Sequence, residues 1–174
     1  MYTGNGKGKT TAALGMALRA LGHGWRVLVI QFFKGDWPVT FGELEMSRRL
    51  SPQFELLQLG RGFVKIMGDR KPFEEHLAAA KEALRVARER ITSGRYDLIV
   101  LDELIYAIDY AGVSLVSVEE VLGLLDAKPP SLHLVLTGRN APQALVDRAD
   151  LVTEMREVKH PWQRKIPAQV GIDY

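Results

Sequence analysis

The chain has 174 residues, 47% hydrophobic and 25% charged, the profile of one globular domain with a full-sized core. Its 23 basic and 21 acidic residues leave a net charge of +2, which argues against bulk attraction to nucleic acid as the main business. It has no cysteine, so disulfides and thiolate metal sites are excluded, and no apolar run nears the roughly 20 residues of a membrane span.

The chain opens on a glycine- and lysine-rich run, Thr3-Gly4-Asn5-Gly6-Lys7-Gly8-Lys9-Thr10-Thr11. Glycines let consecutive backbone N–H groups point into one concavity, a lysine adds charge for terminal phosphates, and a threonine hydroxyl suits Mg²⁺. The helix expected behind the run sets its positive dipole end against the anion. The usual phosphate-loop spacing wants a glycine at the position of Thr3. Here the glycine comes one residue later, at Gly4, and an extra lysine, Lys7, sits inside the loop. A phosphate loop normally follows a buried strand. Only Met1 and Tyr2 precede this one, so the first strand is expected to be missing or shortened.

Thr10 to Leu21 reads as a helix, with Leu14, Ala17, Leu18 and Leu21 at helical spacing and Gly22 and Gly24 as a stop. Arg26 to Phe33 reads as a strand, continuously apolar over Val27 to Ile30 and therefore covered on both faces. A short helix is expected over Thr40 to Leu50 and a weaker strand over Phe54 to Leu59. Gly60 to Pro72 reads as a loop with room for function. Pro72 to Thr92 is the clearest helix, its apolar stripe made by Leu77, Ala80, Leu84, Ala87 and Ile91. Asp97 to Glu103 is a second buried strand. Ser117 to Ala127 reads as a helix with a capping box, Ser117 and Glu120. Leu132 to Thr137 is a third apolar strand, Ala141 to Ala149 a helix, Leu151 to Val158 a last strand, and the tail from Lys159 irregular.

Strands alternating with helices predict an α/β fold: a phosphate-loop NTPase-like, three-layer domain with a mainly parallel central sheet, spanning residues 1–174 as one domain. Ligands bind such sheets at the carboxyl ends of the strands. The phosphate loop, Asp102-Glu103 and Thr137-Gly138-Arg139 all fall at such ends. Asp102 and Glu103 close a buried apolar strand, where phosphate-loop proteins bring a carboxylate to Mg²⁺; the pattern does not separate the two. Arg139 suits a phosphate or a leaving-group charge, or is a surface arginine. By pattern alone Arg19 is a solvated helix charge. Phe63, in Gly60-Arg61-Gly62-Phe63, either lines a pocket for a flat ligand or anchors its loop on the core. None of the four histidines has metal spacing with another.

Taken together these residues resemble the ATP:corrinoid adenosyltransferases of cobalamin biosynthesis and salvage. The resemblance rests on Gly4 to Ala13, on Val29-Ile30-Gln31-Phe32-Phe33-Lys34-Gly35 with Trp37-Pro38, and on Leu101 to Tyr106. It continues through Leu136-Thr137-Gly138-Arg139 and Val158-Lys159-His160-Pro161 and closes on Ala168 to Tyr174. It implies that Co(I) of a corrinoid attacks the 5′ carbon of ATP, the co-substrate, and that triphosphate leaves. It implies ATP contacts from Gly4, Asn5, Gly6, Lys7, Gly8, Lys9, Thr10, Thr11, Arg19 and Arg139. Lys9 and Glu103 would be the catalytic pair. Mg²⁺, or Mn²⁺ in its place, would be held by Thr10 and Glu103, with Asp102 beside them, and Phe63 would meet the corrinoid. It further implies a homodimer, a reducing flavoprotein as electron donor, and no nucleic-acid or membrane partner. No signal-peptide pattern opens the chain, and a cytoplasmic location is expected.

Two departures stand out. Relatives often carry Gly-Phe-Thr-Trp where this chain reads Gly62-Phe63-Val64-Lys65, so a lysine replaces the tryptophan. Relatives also have an amino-terminal segment before the loop. The rival expectations are a phosphate-loop ATPase or phosphotransferase, for which Glu103 could orient water, and a nucleotide-dependent binding module.

Overall fold

A computed structural model describes residues 1–65, 68–109 and 112–174. Twelve elements follow in chain order: β1 (Tyr2–Thr3), α1 (Lys9–Gly22), β2 (Val27–Gln31), α2 (Gly42–Arg49), β3 (Phe54–Gln58), α3 (Phe73–Thr92), β4 (Leu98–Asp102), α4 (Leu104–Ile108), α5 (Val118–Ala127), β5 (His133–Leu136), α6 (Gln143–Arg148) and β6 (Thr153–Glu154). A 3₁₀ turn over Pro161–Arg164 follows in the tail.

Four strands form a fully parallel sheet in the order β3-β2-β4-β5. β1 pairs in parallel with β6, and a bridge from Tyr2 to Thr137 ties that pair to the end of β5. Every residue of β2 and β4 is buried, because side chains leave a strand on alternate faces and both faces here are covered. Val27 and Val29 point with Leu98 and Val100 into a core closed by α1. Leu28, Ile30, Ile99 and Leu101 point to the opposite face, against α3, α4 and α5. The result is the expected three-layer α/β arrangement.

α3 buries His76, Ala80, Ala83, Leu84, Ala87 and Ile91 and leaves its charges outside. α5 starts on the expected capping box: the Ser117 hydroxyl accepts from Glu120 N at 3.1 Å, and Ser117 N donates to Glu120 Oε2 at 2.8 Å. Two elements differ from expectation. Leu151 to Val158 pairs as a strand only at Thr153–Glu154, because its partner β1 is two residues long. Leu104–Ile108 is a short helix that no apolar period announced. No helix among the described residues is long and apolar enough to cross a membrane.

Parallel strands bring their carboxyl ends to one edge. That edge carries the phosphate loop after β1, Gln31 to Lys34 at the end of β2, Asp102-Glu103 at the end of β4, and Thr137 to Arg139 after β5.

Candidate active site

The phosphate loop runs against the residues that follow β6. Gly6 N donates to Met155 O at 2.7 Å. A Cβ on Gly6 would stand 2.7 Å from the Arg156 carbonyl carbon, so a side chain there would push the loop off the segment that follows β6. Gly8 caps α1 with φ 116°, a left-handed conformation that glycine adopts without strain. Lys9 folds its ammonium back onto its own loop, donating to Gly4 O at 2.7 Å and Gly6 O at 2.8 Å. Burial holds its pKa below the usual lysine value, with Arg139 adding repulsion.

Asp102 is the hub of the edge. It is fully buried, and its Oδ1 accepts from Thr10 Oγ1 at 2.9 Å and from Thr137 Oγ1 at 2.7 Å. Oδ2 accepts from Gln31 Nε2 at 3.3 Å, with the Lys34 ammonium 3.8 Å away. This buried charge is thus met by donors from α1, β2 and the end of β5. Glu103 is partly buried and has φ 64°, an uncommon backbone state for a residue with a side chain. Its N–H donates to Thr137 Oγ1 at 2.8 Å. Burial first, then the Asp102 charge, push its carboxyl up to about 7.

A cleft of about 420 Å³ opens over this floor. It is lined by Lys7, Gly8, Lys9, Thr10 and Thr11 of the phosphate loop and the start of α1, by Lys34, Gly42 and Glu43, and by Glu103. Gly171 to Tyr174 close one side, and Asp173 pairs with Lys7. A second cavity, about 290 Å³, is lined by Asp36, Trp37, Arg61, Phe63 and Lys71 among others. Phe63 stacks on Phe33 at 5.1 Å and meets Tyr106 at 5.8 Å and Trp37 at 6.1 Å. Arg139 lies over the Tyr106 ring at 5.6 Å. The aromatic shelf thus connects to the phosphate edge through Phe33, which precedes Lys34, and through Tyr106, three residues past Glu103.

Most of the sequence-derived residues therefore meet: Lys7 to Thr11, Asp102 and Glu103 at the cleft, Arg139 and Phe63 beside it. Two do not. Asn5 is exposed among Glu154, Arg156 and Glu157. Arg19 lies ten residues beyond Lys9, about 15 Å along the helix, in a hollow with Trp25, Leu98 and His133 at the opposite edge of the sheet. Residues to which the sequence assigned no role of their own are Gln31, Lys34, Glu43, Thr137 and Asp173. Their shared signal is position: four of them sit at or just past strand ends or in the resembling motifs.

The 60s loop has its own anchor. Asp69 accepts from Lys65 N at 3.0 Å, from Lys71 N at 3.2 Å and meets His76 Nε2 at 3.0 Å. These contacts, the Lys65 N–H foremost, hold its carboxyl below the usual range.

Among the described residues no three Asp, Glu or His groups cluster closely enough to hold a metal by themselves. Thr10, Asp102 and Glu103 do fit a hard cation that takes the rest of its ligands from phosphate and water.

The family model described as ATP:corrinoid adenosyltransferase BtuR/CobO/CobP matches residues 1–174. The chain is 38% identical over 174 residues to a corrinoid adenosyltransferase of Escherichia coli K12, covering all of this chain and 84% of that protein. It shows the same 38% identity and the same coverage with the corrinoid adenosyltransferase CobA of Salmonella typhimurium LT2. With a corrinoid adenosyltransferase of Sinorhizobium the identity is 39%, over 99% of this chain and 78% of the other.

Proposed function

The chain belongs to the ATP:corrinoid adenosyltransferase family, and on that premise we propose that it moves the 5′-deoxyadenosyl group of ATP to the Co(I) of a corrinoid and releases triphosphate, in cobalamin biosynthesis or salvage. The observation that carries the reading is the meeting of a phosphate-loop cleft with an aromatic shelf at one sheet edge.

Co(I) is a strong nucleophile, so the chemistry needs no general base. The protein's part is to hold the 5′ carbon in line and to stabilise charge growing on triphosphate. The N–H groups of Gly8 to Thr11 at the start of α1, with Lys7 and Lys9, supply donors on one wall. Lys9 gives up its two carbonyl contacts for phosphate oxygens. Arg139, near Lys9 and above Tyr106, adds charge close to the reacting end. Thr10 and Glu103, with Asp102 behind Thr10, would hold Mg²⁺, which when bound neutralises phosphate charge. Glu103 must be ionised for that role. Phe63, backed by Phe33, Trp37 and Tyr106, offers the corrinoid a rigid apolar face. Asn5 and Arg19 have no place in this cleft within one chain.

Co(I) must be generated where it reacts, so an electron donor, for which a reduced flavoprotein is suited, has to reach the corrinoid. A homodimer in the cytoplasm completes the reading. Its test is ³¹P NMR of an anaerobic reaction with ATP, Mg²⁺ and chemically reduced cobalamin. Corrinoid-dependent triphosphate is expected; ADP and phosphate formed without corrinoid would favour an ATPase.

A further inference from the structure

Lys34 lines the nucleotide cleft together with the phosphate loop, the two approaching different oxygens of Asp102. Its side chain is only 13% exposed, and its ammonium lies 3.2 Å from Glu43 Oε1 and 3.8 Å from Asp102 Oδ2. The Phe41 ring covers it from 4.4 Å. Burying an ammonium this far is costly unless it is held, and the holding is layered. Gln58 Nε2 donates to Gln31 Oε1 at 2.8 Å, and Gln31 Nε2 donates to Glu43 Oε1 at 2.9 Å. Glu43, which its neighbours Lys34 and Gln31 keep ionised against its burial, receives Lys34. β3, β2 and α2 thus cooperate to hold one ammonium on a cavity wall.

The loop's own lysines, Lys7 and Lys9, approach a triphosphate from one side. Beside Gly42 it would meet the Glu43 carboxylate unless a cation stands between. Lys34 is the residue so placed.

We propose that Lys34 is a further triphosphate-binding residue, supplying positive charge from beyond the phosphate loop itself, and that Glu43 is its positioning residue. This rests on the reading of the cleft as the ATP site. It assigns Lys34 a share of the charge that accumulates on triphosphate as the bond to the 5′ carbon breaks.

The test is titration calorimetry with ATP and with inorganic tripolyphosphate, each with Mg²⁺ and without corrinoid. Lys34→Gln keeps a donor for Glu43 and removes the charge. It should weaken both probes about ten-fold or more, the scale of one charge-assisted contact. Lys34→Arg should stay within about three-fold of the parent. The double variant Lys34→Gln/Glu43→Gln should remain weak, because the cation is gone. Circular dichroism and thermal melts establish that the variants fold, and Lys34→Met is a second neutral variant should Lys34→Gln not fold. Parental affinity in a folded neutral variant overturns the proposal, and so does full recovery in the double variant, which would assign the loss to an orphaned Glu43. A parent protein that binds neither probe overturns the reading of the cleft itself.

Discussion

Thr137→Val tests the buried network under the cleft. The substitution replaces Oγ1 with a methyl group of nearly the same size at a position with no solvent exposure. It removes two bonds at once: the 2.7 Å donation to Asp102 Oδ1 and the 2.8 Å acceptance from Glu103 N. Losing a donor to a charged group costs about 1.5–3 kcal/mol, and leaving a buried N–H unpaired costs about 1–3 kcal/mol. The two losses share one neighbourhood and do not add fully, so about 3–4 kcal/mol is expected. For a chain of this size that lowers Tm by about 10 °C. Thr137→Ser keeps the hydroxyl and should lose only the small packing term. Differential scanning calorimetry of the three proteins, without ligand, reads the effect. A drop under about 3 °C for the valine variant, or an equal drop for the serine variant, would refute the assignment of Thr137 as the joint between Asp102 and Glu103.

Other outcomes follow from the same geometry. Asp173→Asn releases Lys7 from its ion pair. Because that pair is largely exposed, ATP affinity should rise only two- to five-fold, and calorimetry showing weaker binding would mean that Asp173 supports the nucleotide. Phe63→Ala removes the ring stacked on Phe33 and should slow turnover from Co(II) with a reductant more than turnover from prereduced Co(I); equal slowing in both assays would reduce Phe63 to packing. The lowered Asp69 carboxyl contributes stability that is present above the ordinary aspartate value of about 3.9 and is lost as pH falls through its lower folded value. Acid titration of stability should therefore be shallower in Asp69→Asn than in the parent below about pH 4; parallel curves would remove Asp69 as the loop's anchor.

What could be read from the sequence divides along physical lines. β2 and β4 were legible because a strand buried on both faces must be continuously apolar, as Val27 to Ile30 and Leu98 to Leu101 are. α3 and α5 were legible through an apolar stripe and a capping box, both local in sequence. The length of β6 was not, because it depends on a partner of two residues at the other end of the chain; Leu151 and Val158, read as strand, are exposed. α4 escaped because five apolar residues show no period. The phosphate loop and Asp102-Glu103 announced themselves by position. The roles of Gln31, Thr137 and Glu43 did not show, although Gln31 and Thr137 stand at strand ends, because their contacts exist only once separate segments converge on Asp102 and Lys34. The reach of Arg19 was set by a geometric fact, ten residues of helix, that a motif match does not weigh.

The most direct measurement follows the carbon itself. ATP labelled with ¹³C at the 5′ position, mixed anaerobically with Mg²⁺, Co(I) cobalamin and the protein, should give a ¹³C signal for a carbon bonded to cobalt, lost on exposure to light. A label that stays on ATP or appears only in ADP or free nucleoside, with folded protein, would contradict adenosyl transfer at this cleft.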